Sequence, residues 1–279
     1  MAGTFPDGPL VDAAWLREQL DEVRVVDVRW YLDGSSGHDA YLSAHIPGAV
    51  WADIDRDLSA PAAPVAGRHP LPSPADFAAA MGRLGIGNDD TVVAYDDASG
   101  SIAARLWWML DSIGVRAYVL DGGIATWIWP LEHEPSVPTA VEFSAREWPA
   151  DRFVEADEVE ALRREAPLLD ARPFGRFTGG EASIDAVPGH IPGARSAPWP
   201  ENLDPETGRF LPADQLRRRL AVRGVEQGTR VVASCGSGVT ACHDLLALRI
   251  AGFDDCTLYT GSWSGWSSDP DRPVALGVE

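Results

Sequence analysis

His45-Ile46-Pro47-Gly48-Ala49 returns about half the chain later as His190-Ile191-Pro192-Gly193-Ala194, and the blocks around it return in the same order. Val25-Val26-Asp27-Val28-Arg29 becomes Leu168-Leu169-Asp170-Ala171-Arg172. Thr91-Val92-Val93-Ala94-Tyr95-Asp96 becomes Arg230-Val231-Val232-Ala233-Ser234-Cys235, and Leu120-Asp121-Gly122-Gly123 becomes Tyr259-Thr260-Gly261-Ser262. The distance from Asp96 to Asp121 equals that from Cys235 to Thr260. Four ordered matches at compatible spacing describe a domain present twice, with a period far longer than that of solenoid repeats.

Each copy alternates short apolar, β-branched runs with amphipathic stretches. In the first, the pattern predicts helices over Asp12–Leu20, Phe77–Leu84 and Ala103–Ile113, and strands over Arg24–Val28, Val92–Tyr95 and Ala117–Leu120. That alternation implies an α/β fold: tandem duplicated domains, each a mainly parallel sheet flanked by helices. Boundaries are expected at residues 1–131 and 150–279, with 132–149 as a linker interrupted by Pro135 and Pro138.

Composition narrows the function. A net charge of −19 argues against nucleic acid or an anionic membrane as partner. A small anionic substrate remains open, because a site's local field can oppose the global one. The chain has no lysine, so its 23 basic residues are all arginine, which excludes a Schiff-base lysine and a phosphate-loop lysine. Its three cysteines, Cys235, Cys242 and Cys256, form neither a disulfide framework nor a metal-ligand spacing. No cofactor and no metal is implied. The first residues lack a secretory pattern, and no apolar run is long enough to cross a bilayer. A reducing cytoplasm is the expected location.

The chemistry concentrates at Cys235-Gly236-Ser237-Gly238-Val239-Thr240-Ala241. A cysteine between a strand end and a helix start lies where backbone N–H groups converge and the helix dipole is positive, a setting that favours the nucleophilic thiolate. Gly236 and Gly238 let successive amides turn inward as an anion-holding nest. In the first copy Asp96 takes the cysteine's place, and a carboxylate cannot carry transferable sulfur. One copy is therefore expected to be catalytic and the other silent.

With these blocks the chain resembles the two-domain rhodanese-like sulfurtransferases from about Leu10 to Trp266, and its loop is similar to that of the 3-mercaptopyruvate branch. The resemblance implies a ping-pong relay. Cys235 takes sulfur from the donor as a persulfide and passes it to a thiol, cyanide or thioredoxin-like acceptor, with Gly236, Gly238, Val239 and Thr240 holding the sulfur. Hydroxyls of Ser237 and Thr240 could add donors to the amides. The resemblance also implies that Arg176 binds the donor's anionic end and that Asp55, His69 and Ser237 handle a proton. The thiosulfate branch carries basic residues just after the cysteine. Here Gly236 and Ser237 are neutral, which favours 3-mercaptopyruvate over thiosulfate. A second donor arginine usual in the 3-mercaptopyruvate branch is missing from the short stretch Glu181–Val187, where Arg195 or Arg172 could substitute. Besides thiosulfate:cyanide transfer, a non-catalytic persulfide carrier or redox-sensing module stays open. A cysteine phosphatase does not fit, because no arginine follows the loop before Arg249. His45 and His190 are expected to be architectural. Cys242, Cys256 and the tryptophans at 107, 108, 263 and 266 are expected in the core, with 269–279 a peripheral tail.

Overall fold

A computed structural model describes residues 5–181 and 184–278; Met1 to Thr4, Ala182, Ser183 and Glu279 lie outside the described residues. The chain divides into two units. The first is formed by residues 1–59, 72–148 and 207–209, the second by 60–71, 149–206 and 210–279. Residues 60–71 thus leave the first copy in sequence and fold with the second.

In the first unit the strands are β1 (Leu10–Val11), β2 (Arg24–Asp27), β3 (Val50–Trp51), β4 (Val92–Tyr95) and β5 (Ala117–Leu120). They make one parallel sheet in the order β1-β5-β4-β2-β3. In the second, β6 (Phe153–Val154), β7 (Leu168–Asp170), β8 (Ala194–Ser196), β9 (Val231–Ser234) and β10 (Cys256–Tyr259) repeat that order as β6-β10-β9-β7-β8, again all parallel. Strands β4, β5, β7, β9 and β10 are buried at every residue, as parallel strands with helices on both faces must be.

The predicted helices form with shifted ends. Asp12 caps Ala13–Gln19 by accepting the Trp15 N–H at 2.8 Å. The second begins three residues early, at Pro74–Arg83, because Ser73 caps it and Pro74 suits its first turn. His45 and His190 have matching surroundings. Each pairs Nδ1 with a carbonyl, of Tyr41 at 2.8 Å and Phe177 at 3.0 Å, and each ring stacks on that same aromatic residue. Two expectations change. The stretch read as a linker carries structure of the first unit: Glu132 and His45 exchange backbone hydrogen bonds, and Val141 donates to Gly82. Ala275, in the tail read as peripheral, exchanges the same pair of bonds with His190. The duplication therefore extends to how each copy is closed.

Behind the β9 turn, the helix Ala241–Ile250 buries Asp244, whose carboxylate accepts from Asn202 Nδ2 at 2.7 Å. Burial, opposed in part by the positive charge of Arg219, pushes this carboxyl up to about 6. The folded state then holds a proton that the unfolded state has lost between pH 4 and 6, so raising the pH through that window removes stability. Chemical denaturation at pH 4.5 and 7 should show wild-type protein losing about 2 kcal/mol relative to Asp244→Asn across it. Parallel pH profiles of the two proteins would contradict the assignment.

Candidate functional site

Cys235 follows β9, the middle strand of its sheet. The next strand along is β7, and from these two strands the chain runs outward in opposite directions. In open parallel sheets this switch point at the carboxyl ends is where ligands bind. The strand ends at Ser234, and the next helix starts at Ala241. Between them the loop curls around the sulfur. Cys235 Sγ accepts N–H bonds from Ser237 at 3.4 Å and Gly238 at 3.1 Å. Gly238 has φ +78°, a left-handed conformation that a side chain would strain. The segment 262–264 grips the loop from behind: Cys235 N–H donates to Ser262 Oγ, and the Cys235 and Gly236 carbonyls accept from Trp263 and Ser264.

The first copy shows what this turn holds when no sulfur is present. Asp96 is fully buried and accepts four backbone N–H bonds, from Ala98, Gly100, Ile102 and Ala103, at 2.7–2.9 Å. The first copy's turn is an anion nest filled by its own carboxylate.

Arginines supply the charge that the loop sequence lacks. A Cβ built on Gly236 would stand 2.8 Å from Arg68 Nη2, 3.3 Å from Arg176 Nη2 and 3.9 Å from Arg172 Cδ. Arg172 is held by Asp170 (Nη2–Oδ2 2.7 Å) and by the Gly189 carbonyl, with its guanidinium over the Trp263 ring. Arg176 Nη2 donates to Asp185 Oδ2 at 3.0 Å, and Arg68 Nη1 donates to Asp185 Oδ1. Arg195 does not come to this cluster; its guanidinium is given to the Arg223 carbonyl. The neutrality of Gly236 and Ser237 is therefore not neutrality of the site. Sequence reasoning missed Arg68, which lies in a proline-rich stretch of the other copy. The signal available was the group Gly67-Arg68-His69, three polar or flexible residues without a turn or helix to explain them.

His69 is buried, and its Nδ1 is 2.7 Å from Ser237 Oγ. Asp55 belongs to the first unit, in the short helix Ile54–Asp57, where it accepts the Trp30 indole N–H at 2.9 Å. Val239 is buried and its carbonyl accepts from Cys242 N–H. Thr240 precedes the helix without a side-chain cap bond. Cys242 donates its S–H to the Gly238 carbonyl at 3.4 Å, bracing the loop from the helix. Burial pushes the Cys256 thiol up to about 12, which keeps it an inert thiol.

This arrangement can hold a sulfur anion in the nest and a second anionic group at the arginines. The rhodanese-like domain profile matches the chain twice, at residues 12–128 and 155–269. A probable 3-mercaptopyruvate sulfurtransferase of Pseudomonas aeruginosa is 44% identical, covering 96% of this chain and 98% of its own. A putative thiosulfate sulfurtransferase, SseB, of Mycobacterium tuberculosis is 40% identical over 96% and 97%. The crystal structure of the 3-mercaptopyruvate sulfurtransferase SseA from Escherichia coli superposes with a TM-score of 0.80 at 35% identity, covering 92% of this chain and 99% of that one.

Proposed function

The chain belongs to the two-domain rhodanese-like sulfurtransferase family, and from that premise we propose that it takes sulfur from 3-mercaptopyruvate as a persulfide on Cys235 and delivers it to a thiophilic acceptor. In the first half-reaction the Cys235 thiolate attacks the donor's sulfur. A sulfur–sulfur bond forms, the donor's carbon–sulfur bond breaks, and its electron pair stays on carbon as the enolate of pyruvate. That carbon takes up the proton which the donor's thiol gives up. In the second half-reaction an acceptor thiolate or cyanide attacks the outer sulfur and returns Cys235 as thiolate. Two covalent steps replace one direct transfer.

One observation favours this donor: the buried His69–Ser237 hydrogen bond beside the nucleophile. An enolate needs a proton as it leaves, and a histidine–serine pair can carry one near neutral pH. Sulfite, the leaving group from thiosulfate, needs none. Arg176 fits the donor carboxylate, for which a guanidinium offers two parallel N–H groups. Asp55 enters the proposal on the family resemblance alone. The free, buried cysteines fit a reducing compartment such as the cytoplasm.

The second reading is thiosulfate as donor, favoured by the arginines around Gly236, which would also suit a compact dianion. Parallel kinetics with both donors and cyanide as the common acceptor decide between them. We expect kcat/KM for 3-mercaptopyruvate to exceed that for thiosulfate by about tenfold or more. The reverse order would assign thiosulfate. A persulfide that accumulates without turnover would mark a carrier.

A further inference from the structure

Glu181–Val187 carries no arginine, yet two guanidiniums reach the edge of the cysteine loop. They come from segments distant in sequence. Arg176 lies in the helix Phe174–Thr178, and Arg68 comes from residues 60–71, which fold with the second unit. The backbone around Arg68 is fixed by close approach. A Cβ on Gly67, where φ is +88°, would come within 2.5 Å of the Gly261 carbonyl oxygen, and one on Gly265 within 2.7 Å of the Val65 carbonyl oxygen. Arg68 N–H donates to Ser264 Oγ at 3.1 Å. The same segment 262–264 grips the Cys235 loop, so Arg68 and the nucleophile are referenced to one piece of backbone.

Both arginines are engaged by one carboxylate. Asp185, its side chain only 2% exposed, accepts from Arg68 on one oxygen and from Arg176 on the other. Arg68 Nε and Arg176 Nε are buried with no hydrogen-bond partner among the described residues. Two forked cations already bridged by a carboxylate form a site whose chemistry suits a carboxylate ligand.

Resting on the donor reading above, we propose that Arg68 is the second anchor for the donor's carboxylate, acting jointly with Arg176, and that Asp185 occupies this anchor until the donor displaces it. Arg68 supplies what the stretch 181–187 lacks. Asp185 cancels one of the two positive charges, so the pair of partly buried cations is not left without a counter-charge. The donor must compete with a tethered carboxylate, and its apparent affinity falls accordingly.

Steady-state kinetics of Arg68→Gln, Arg68→Lys and Asp185→Asn test this. Anchoring felt equally in ground and transition states changes KM and leaves kcat. Arg68→Gln is expected to raise KM for 3-mercaptopyruvate about tenfold to fiftyfold, with kcat within about threefold of wild type. Arg68→Lys, which keeps the charge but loses the fork, should fall between wild type and glutamine. Asp185→Asn should lower KM, by about threefold or more. An Arg68→Gln protein with wild-type KM would overturn the anchor. An Asp185→Asn protein whose KM rises would overturn the displaced carboxylate and make Asp185 a support for the arginines. A wild-type protein that prefers thiosulfate overturns the donor reading separately. The variant effects would then be read as ratios to wild type on thiosulfate, where an unchanged KM in Arg68→Gln again overturns the anchor.

Discussion

Cys235→Ser is expected to lose at least about a thousandfold in kcat/KM with either donor, because a hydroxyl cannot form the persulfide on which both half-reactions depend. The exchange replaces one small buried side chain by another of nearly the same shape, so the fold should survive it. The loop amides of Ser237 and Gly238 would still be aimed at the substituted atom. What disappears is a polarizable, nucleophilic sulfur. The other two cysteines are not placed to compensate: Cys256 is a buried, inert thiol at the start of β10, and Cys242 spends its S–H on the Gly238 carbonyl. Intact-protein mass after donor treatment gives a second readout. Wild-type protein should gain one sulfur atom, and the serine variant none. Full activity in the variant would overturn the whole site.

How much of this could be read in advance depends on how local each feature is. The repeat, the inner strands and the strand–Cys–turn–helix order are contiguous in sequence, and periodicity finds such features. The outer strands β1, β3, β6 and β8 are two or three residues long, too short for any alternation to register. The site divides in the same way. Cys235, Ser237 and Gly238 lie on one turn and were legible from it. Arg68 and His69 reach that turn from more than 160 positions away, as the 168-position span of the His69–Ser237 bond shows. No local pattern marks such a pairing. The charge of the site is non-local for the same reason: Gly236 and Ser237 are neutral, but the cations beside them are carried by other segments. Asp96 was legible as a missing thiol. That its carboxylate fills the turn with four N–H bonds follows from the backbone alone.

The block Asp170-Ala171-Arg172 is where fold and site share one interaction, and Asp170→Ala is expected to cost about 3–5 kcal/mol of stability. Both side chains are 2% exposed. Arg172 Nε lies 3.0 Å from each Asp170 oxygen, Nη2 lies 2.7 Å from Oδ2, and Asp170 Oδ1 also accepts the Arg172 backbone N–H at 3.1 Å. Burial opposes the charge on the guanidinium, but the neighbouring carboxylate outweighs it and holds the arginine firmly protonated. Removing Asp170 leaves that cation buried, with the Gly189 carbonyl as its remaining strong acceptor and Nη1 already without a partner. An uncompensated buried charge of this kind is far more costly than the pair was worth. Asp170→Asn keeps a carbonyl acceptor and should lose less. The first unit offers an independent copy of the experiment: Arg29 makes the same bonds to Asp27, with Nη2 at 2.6 Å from Oδ2 and 2.7 Å from the Ala44 carbonyl, so Asp27→Ala should destabilise to a similar degree. The two variants differ in what else they touch. Asp170 ends the strand beside β9, and Arg172 lies against the Cys235 loop, so Asp170→Ala should also depress kcat in the fraction that remains folded. Urea denaturation of both alanine variants measures the first effect, and activity per folded molecule the second. A loss below about 1 kcal/mol in Asp170→Ala would mean that the ion pair is better solvated than its burial implies.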